Sequence, residues 1–91
     1  MKHIFLDRDG VINRDRGNGY IDSWGKFRFL PGALLALRLL KEKGYKVIVV
    51  SNQAGVAKGF YSKRGLQEMT RRMKKRIEKH GGKLEGVYYC P

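Results

Sequence analysis

The chain has 91 residues, a formal net charge of +12 and 42% hydrophobic residues. This length allows one small domain, and the hydrophobic content excludes an intrinsically disordered chain. The apolar runs are too short to cross a bilayer, so no membrane association is expected. Cys90 is the single cysteine, which excludes an internal disulfide framework and indicates a reducing compartment. With no secretory signal visible, the expected location is cytoplasmic.

Residues 3–7 predict a short buried strand that ends in two carboxylates. The stretch IFLDRDGVIN covers residues 4–13, so Asp7 and Asp9 stand where the strand gives way to a loop. Because Asp-Gly is a common turn dipeptide, these residues by themselves fit either a turn or a site of metal or phosphoryl chemistry. Two like charges at this place are unfavourable unless something binds them.

Residues 13–29 mix glycine, aspartate, asparagine and arginine with scattered aromatic side chains. This composition predicts a long loop or a small hairpin beside the end of the first strand, and loops of this length are usually functional. Pro31 and Gly32 then open a helix that is rich in leucine nearly all round, and Gly44 closes it. We expect that helix to be buried.

Residues 45–50, YKVIVV, predict a second strand that is covered on both faces, because its apolar run is continuous and β-branched. It ends in the polar stretch SNQAG. Residues 62–80 predict an amphipathic helix with Ser62 as its N-cap. The apolar stripe of this helix is expected in the core and comprises Leu66, Met69, Met73 and Ile77. Residues 84–89 predict a third strand.

The order strand, helix, strand, helix, strand predicts an α/β fold with right-handed crossovers and a parallel sheet. Ligand sites in such sheets lie at the carboxyl ends of the strands. Asp7, Asp9 and Ser51 are therefore expected at the same edge. One carboxylate there can attack a phosphorus atom while the other transfers a proton, and Mg²⁺ can offset the charge. A hydroxyl and backbone amides after the next strand can bind phosphoryl oxygens.

Taken together, these motifs resemble the haloacid dehalogenase (HAD) superfamily. The stretches FLDRDGVIN, GYI, the helix opened by Pro-Gly, VIVVSNQAGVAKG and VYYCP occur in order over essentially the whole chain. Within the superfamily the chain is similar to the group of histidinol-phosphatases and heptose bisphosphate phosphatases. The resemblance implies a Rossmann-like three-layer parallel sheet, incomplete here, with about three strands and two main helices. It also implies a Mg²⁺-dependent phosphatase that acts on a small phosphorylated metabolite, preferably heptose 1,7-bisphosphate rather than histidinol phosphate.

The resemblance assigns catalytic roles to the two aspartates. Asp7 matches the nucleophile, which forms an aspartyl-phosphate and also binds Mg²⁺. Asp9 matches the general acid/base, whose backbone carbonyl contributes to the metal site. Phosphate and substrate binding are implied for a larger set, namely Ser51, Asn52, Gln53, Lys58, Asp15, Gly19 and Tyr20. Lys58 stands where relatives usually carry an arginine, so the paired hydrogen bonds that a guanidinium can donate to a phosphate are lost.

Cys90 resembles the first ligand of a structural zinc loop found in many members of the family. The other ligands are not present in this chain, so Zn²⁺ is expected only in a full-length parent. The alternative for Cys90 is a buried, inert thiol. A downstream lysine and a further acidic strand end of the family also lie outside residues 1–91. These residues are therefore interpreted as the N-terminal part of a single phosphatase domain.

Two alternatives to catalysis by this chain stay open. The first is a non-catalytic half-domain that assembles with another chain, because truncation would expose the edge of the first strand and favour self-association. The second is nucleic-acid binding, which is not favoured. Residues 58–83 contain ten lysines or arginines and two glutamates, and this face can contact a phosphate backbone or simply be solvated.

Overall fold

The computed structural model describes residues 2–15, 21, 23–53, 59 and 62–90. The elements in chain order are strand β1 (Lys2–Leu6), a short 3-10 helix (Trp24–Lys26), helix α1 (Ala33–Glu42), strand β2 (Tyr45–Asn52), helix α2 (Lys63–Lys79) and strand β3 (Gly86–Cys90). The strands form one parallel sheet in the order β1-β2-β3. The predicted α/β fold class is confirmed. No helix within the described ranges has the length and apolar character needed to cross a membrane.

Both helices pack against the same face of the sheet. Side chains alternate along a strand, and on this face Val47 and Val49 of β2 are buried. Leu37 from α1 and Met73 from α2 belong to the same core cluster. We call this side the covered face. It forms because two right-handed crossovers that run in one direction, from β1 to β2 and from β2 to β3, place their helices on one side.

The opposite face of the sheet, which we call the bare face, carries no helix in the described part of the chain. Phe5, Val50 and Tyr88 lie there with 66%, 42% and 63% of their surface exposed. The predictions of a buried first strand and of a second strand covered on both faces are therefore wrong for this chain. A continuous apolar run indicates two covered faces only when enough elements are present to cover both.

Helix α1 is only partly buried, which corrects the prediction that the whole helix is buried. Leu37 faces the core, whereas Leu35 and Leu39 are exposed. A helix on the surface of a single core buries one stripe of residues. Leucine is also a strong helix former, so leucines around a helix do not by themselves require burial.

Helix α2 confirms the prediction of an amphipathic helix that begins after the N-cap Ser62. The Oγ of Ser62 accepts a hydrogen bond from the backbone amide of Gly65 at 2.9 Å, which is the N-cap geometry expected at this position. The four residues of the predicted apolar stripe are all buried. The helix is therefore held by its cap at one end and by the core along its length.

The contribution of the Ser62 N-cap to stability can be measured by replacing this residue. We expect Ser62→Ala to lower the free energy of unfolding by about 1 kcal/mol, because one amide of the first turn loses its partner. Ser23→Ala is the matched control, since Ser23 precedes the 3-10 helix without a side-chain cap hydrogen bond, and its effect should stay within about 0.5 kcal/mol. Urea unfolding followed by circular dichroism measures both. Equal losses in the two variants would contradict the assignment of the cap.

The described parts of the segment after β1 pair as a narrow hairpin, which is one of the two alternatives that the sequence predicted. The amide of Arg14 donates to the carbonyl of Arg28 at 2.8 Å, and the amide of Leu30 donates to the carbonyl of Ile12 at 2.9 Å. Phe27 stacks on Trp24 with ring centroids 5.1 Å apart. This pairing brings an aromatic cluster next to the end of β1.

Candidate active site

A tight turn after β1 holds the two aspartates at the carboxyl edge of the sheet. The backbone carbonyl of Arg8 accepts hydrogen bonds from the amides of residues 11, 12 and 13 at 2.8 to 3.2 Å. Gly10 has a φ of 83°, a left-handed conformation that favours glycine. The turn that Asp-Gly predicts is therefore present, and it presents Asp7 and Asp9 at the edge where parallel sheets bind ligands.

The carboxylate of Asp9 is held by side chains of three residues. Its Oδ1 accepts from Nε and Nη2 of Arg8 at 3.0 and 2.8 Å and from Nδ2 of Asn13 at 2.9 Å. Its Oδ2 accepts from Nε2 of Gln53 at 3.2 Å. Charge-assisted hydrogen bonds from Arg8, together with those from the two amide side chains, fix the orientation of the carboxylate. Asp9 therefore has a single defined position before any ligand binds.

Arg8 is the central residue of this arrangement, and sequence reasoning missed it. It is completely buried, and its guanidinium carbon lies 5.8 Å from the ring centroid of Phe27 and 5.7 Å from that of Tyr89. The alternation of side chains along β1 could have indicated that Arg8 is buried. Two residues after Leu6, position 8 continues the row of side chains that faces the core, so a charged residue there has to be paired.

Gln53 joins the end of β2 to the loop after β1. Its Nε2 contacts the Oγ of Ser51 at 3.1 Å as well as Asp9, and both Gln53 and Ser51 are buried. Its backbone amide donates to the carbonyl of Cys90 at 2.7 Å. The ends of all three strands therefore meet in one network. The prediction that Asp9 and Ser51 share an edge of the sheet is confirmed.

Asp7 has a different environment from Asp9. It is exposed, and its Oδ1 accepts a hydrogen bond from the amide of Arg8 at 2.7 Å. Among the described residues, none donates a hydrogen bond to its Oδ2. One carboxylate is therefore accessible while its neighbour is held in place. The catalytic roles that the resemblance implies for Asp7 and Asp9 stay predictions.

The other predicted binding residues are spread around this edge. Asn52 is exposed and extends from β2 on the side opposite to Ser51. Asp15 is exposed and close to the turn, because a Cβ built on Gly10 would lie 3.9 Å from the Cβ of Asp15. Gly19, Tyr20 and Lys58 lie outside the described residues. The binding roles of all these residues stay predictions.

Cys90 is exposed at the end of β3, so the alternative of a buried thiol is wrong. Its role as a zinc ligand stays a prediction. Across the ranges that the structure describes, no group of three or more His, Cys, Asp or Glu side chains could hold a metal ion.

Magnesium needs fewer protein ligands, because it is usually bound by one or two carboxylates together with waters and substrate phosphates. The exposed carboxylate of Asp7 and the backbone carbonyl of Asp9 fit that donor set.

The basic residues concentrate on α2. Its glutamate Glu68 accepts from Nη2 of Arg71 at 2.7 Å and from Nε of Arg72 at 3.1 Å, and these hydrogen bonds lower the pKa of Glu68 to about 2. The exposed basic residues of this helix are Lys63, Arg64, Arg71, Arg72, Lys75, Arg76 and Lys79. The predicted basic face is present, and its binding to nucleic acid stays a prediction.

Curated proteins of similar sequence are named as heptose bisphosphate phosphatases. The D-glycero-beta-D-manno-heptose-1,7-bisphosphate 7-phosphatase of Haemophilus ducreyi is 42% identical over 91 residues, which cover 99% of this chain and 49% of that protein. The protein of the same name from Pasteurella multocida is 41% identical over 90 residues, or 48% of its length. The chain thus spans about half the length of the curated relatives it matches. No protein-family model matches it.

Solved structures give the same result. D,D-heptose 1,7-bisphosphate phosphatase from B. bronchiseptica, complexed with magnesium and phosphate, has a TM-score of 0.96 and 33% identity; the match covers 100% of this chain and 50% of that one. The enzyme of this name from Burkholderia thailandensis has a TM-score of 0.76 and 34% identity, with 54% of that chain covered. The chain is therefore similar in sequence and in fold to HAD-like heptose bisphosphate phosphatases and corresponds to about half of their length.

Proposed function

We propose that the carboxyl edge of the sheet is one half of a phosphatase site, with Asp7 as the nucleophile and Asp9 as the general acid and base. The observation that carries this proposal is the contrast between the two carboxylates. Asp7 is exposed, whereas Asp9 is held by Arg8, Asn13 and Gln53. A nucleophile has to reach the substrate, and a proton-transfer group has to be positioned.

The proposed reaction has two steps. A carboxylate oxygen of Asp7 attacks the phosphorus, the bond between phosphorus and the leaving oxygen breaks, and Asp9 donates its proton to that oxygen. A water molecule then attacks the phosphorus of the aspartyl-phosphate. Asp9 takes a proton from this water, and the bond from phosphorus to Asp7 breaks, which releases inorganic phosphate and restores both side chains.

The contacts of Asp9 are compatible with a proton on Oδ2. The described hydrogen bonds place only Nε2 of Gln53 on that oxygen, at 3.2 Å, while Oδ1 takes the other donors. A protonated carboxyl oxygen keeps acceptor capacity beside its own O–H. Oδ2 can therefore carry the proton while the Gln53 amide keeps its hydrogen bonds with Asp9, Ser51 and Arg8.

Other residues at this edge bind the phosphoryl group in the proposal. The Oγ of Ser51 accepts from Gln53 and keeps its own proton to donate to a phosphoryl oxygen. Magnesium, held by Asp7 and the carbonyl of Asp9, supplies positive charge that offsets the repulsion between the carboxylate and the phosphate when it is bound. The proposed substrate is a small sugar phosphate of the heptose 1,7-bisphosphate type, supported by the names of the relatives. Histidinol phosphate is the alternative substrate.

A covalent chimera tests this function directly. The 91 residues are followed by the part of the Haemophilus ducreyi relative that they do not span, in the order that the resemblance predicts. We expect phosphate release from heptose 1,7-bisphosphate in the presence of Mg²⁺ and a return to background with EDTA. Release from histidinol phosphate alone would change the substrate assignment. A folded chimera that hydrolyses neither compound would overturn the proposed function.

A further inference from the structure

Helix α2 carries more positive charge than its own carboxylates balance. Its 17 residues include eight lysines or arginines and two glutamates. Glu68 pairs with two arginines, whereas no carboxylate in the described part of the chain pairs with Lys75, Arg76 or Lys79. Like charges three or four positions apart destabilise a helix. An anionic partner at these positions would relieve that repulsion.

A shallow groove between α2 and the 3-10 helix collects these unpaired cations. It is lined by Trp24 from the 3-10 helix and by Lys75, Arg76 and Lys79 from α2, with two further arginines and the carboxylate of Glu78. The guanidinium carbon of Arg76 lies 5.9 Å from the ring centroid of Trp24. The groove therefore joins a row of cations to an aromatic ring. The sequence did not indicate it, because Trp24 and Arg76 are far apart along the chain.

The Trp24 ring and the Arg76 guanidinium form the aromatic part of the groove. Trp24 is half-buried and rests on Phe27, whereas Arg76 is exposed. A guanidinium that lies over an indole is held by its face, so its N–H groups stay available at its edge. Among the described hydrogen bonds, none uses these N–H groups. Unpaired bases stack on aromatic rings and on guanidinium planes, and phosphate oxygens accept from guanidinium N–H groups.

We propose that this groove binds single-stranded nucleic acid. Unpaired bases stack against the pair formed by Trp24 and Arg76, and neighbouring phosphates contact Lys75 and Lys79. These two lysines are separated by about 6 Å along the helix axis, and a regular row of cations suits a polymer that carries one negative charge per repeat. The two aspartates at the carboxyl edge of the sheet do not line the groove. Nucleic-acid binding is therefore a further function, separate from the proposed phosphatase site.

The form of the groove favours a single strand over other polyanions. A helix that lies on a membrane inserts its apolar face, but the apolar stripe of α2 is buried in the core. A duplex is read by an element that enters its major groove, whereas these cations line a depression beside the 3-10 helix. An acidic polypeptide would satisfy the cations and would leave the stacking position beside Arg76 unused.

Binding can be followed through the protein itself. Trp24 is the single tryptophan of the chain, so its fluorescence reports on the groove. The probe is an oligothymidine of about 12 nucleotides, which is within the usual site size for such proteins. We expect it to quench the fluorescence of the full 91-residue chain. The logarithm of the binding constant should fall against the logarithm of the salt concentration with a slope of about −2 to −3, as three or four phosphate contacts require.

Arg76→Lys tests the stacking position. Lysine keeps the charge and loses the planar group, so we expect the affinity for oligothymidine to fall at least about 5-fold, since stacking dominates binding of this kind. Arg38→Lys is the matched control, because it makes the same change at an exposed residue of α1 that does not line the groove. Its affinity should stay within about twofold of the unmodified chain. Circular dichroism checks that both variants are folded.

Three competing polyanions complete the test, namely polyglutamate, vesicles of anionic lipid and a duplex of the same length. Quenching by oligothymidine, a selective loss in Arg76→Lys and weaker binding of all three competitors support the proposal. Absence of binding at low salt would overturn it. So would equal effects of the two variants, or a competitor that binds as tightly as the single strand, since the net charge of +12 would then attract any polyanion. None of these outcomes affects the phosphatase proposal, which the chimera tests separately.

Discussion

The chimera that carries Asp7→Asn is expected to release phosphate from heptose 1,7-bisphosphate at least about 10³-fold more slowly than the unmodified chimera. Asparagine keeps the size of the side chain and removes the charged oxygen that attacks phosphorus. Asp7 is exposed, and its described hydrogen bond is to the amide of the next residue. The fold should therefore survive the substitution, and the loss should appear in kcat.

A second carboxylate serves as the control for this prediction. Glu42 is exposed at the end of α1, where its Oε1 is 3.5 Å from Nε of Arg38. Glu42→Gln removes the same charge from the surface and should leave kcat within about twofold, because exposed ion pairs contribute little. Steady-state phosphate release at saturating Mg²⁺ measures both variants. An Asp7→Asn chimera that retains most of its turnover would assign the nucleophile to another residue.

The fold could be predicted largely because each element carries a strong local pattern. The stripe from Leu66 to Ile77 has helical spacing, and all of its residues are buried in α2. The β-branched run of β2 is a strand between two parallel neighbours. The bare face could not be predicted in this way, because exposure of Val50 depends on which elements surround the strand. Local sequence shows that a residue is apolar, and only the topology shows whether anything covers it.

The sequence predicted where the site lies in the sheet, but it did not predict the contacts among the residues of the site. The polar ends of β1 and β2 place Asp9 and Ser51 at one edge through the rules for parallel sheets. The contact of Gln53 with Asp9 joins residues 44 positions apart, which no local pattern encodes. The sequence analysis assigned no role to Arg8, although the alternation of β1 directs it into the core. A buried cation beside the carboxylate that is proposed to transfer protons is the feature that sequence reasoning should look for in such a motif.

Arg8→Met is expected to lower the free energy of unfolding by about 3 kcal/mol, since removing one partner of a buried ion pair leaves the other uncompensated. The value lies at the low end of the range for buried pairs because the side chain of Asp9 is 28% exposed and keeps some contact with water. Small domains are stabilised by about 5 to 15 kcal/mol, so the variant should still fold in the absence of denaturant. Its urea midpoint should decrease clearly.

Arg71→Met provides the matched comparison. Arg71 also donates two hydrogen bonds to a carboxylate, from Nε and Nη2 to the two oxygens of Glu68, but both side chains are exposed. Its replacement should shift the urea midpoint far less than Arg8→Met does, because exposed ion pairs contribute little to stability. Each variant removes a guanidinium that donates two hydrogen bonds to one carboxylate. The pairs differ in burial, and Glu68 also keeps its hydrogen bond from Arg72. Equal urea midpoints would show that burial of Arg8 contributes nothing to stability.

Two further variants separate charge from geometry at this position. Arg8→Lys keeps the charge but loses the planar fork and its stacking on Phe27 and Tyr89, so its stability should lie between those of wild type and Arg8→Met. In the double variant Arg8→Met with Asp9→Asn, both charges are gone. Its loss should be smaller than the sum of the two single losses, because residues in one network are coupled. Strict additivity would mean that Arg8 stabilises the core independently of Asp9 and does not hold that carboxylate in place.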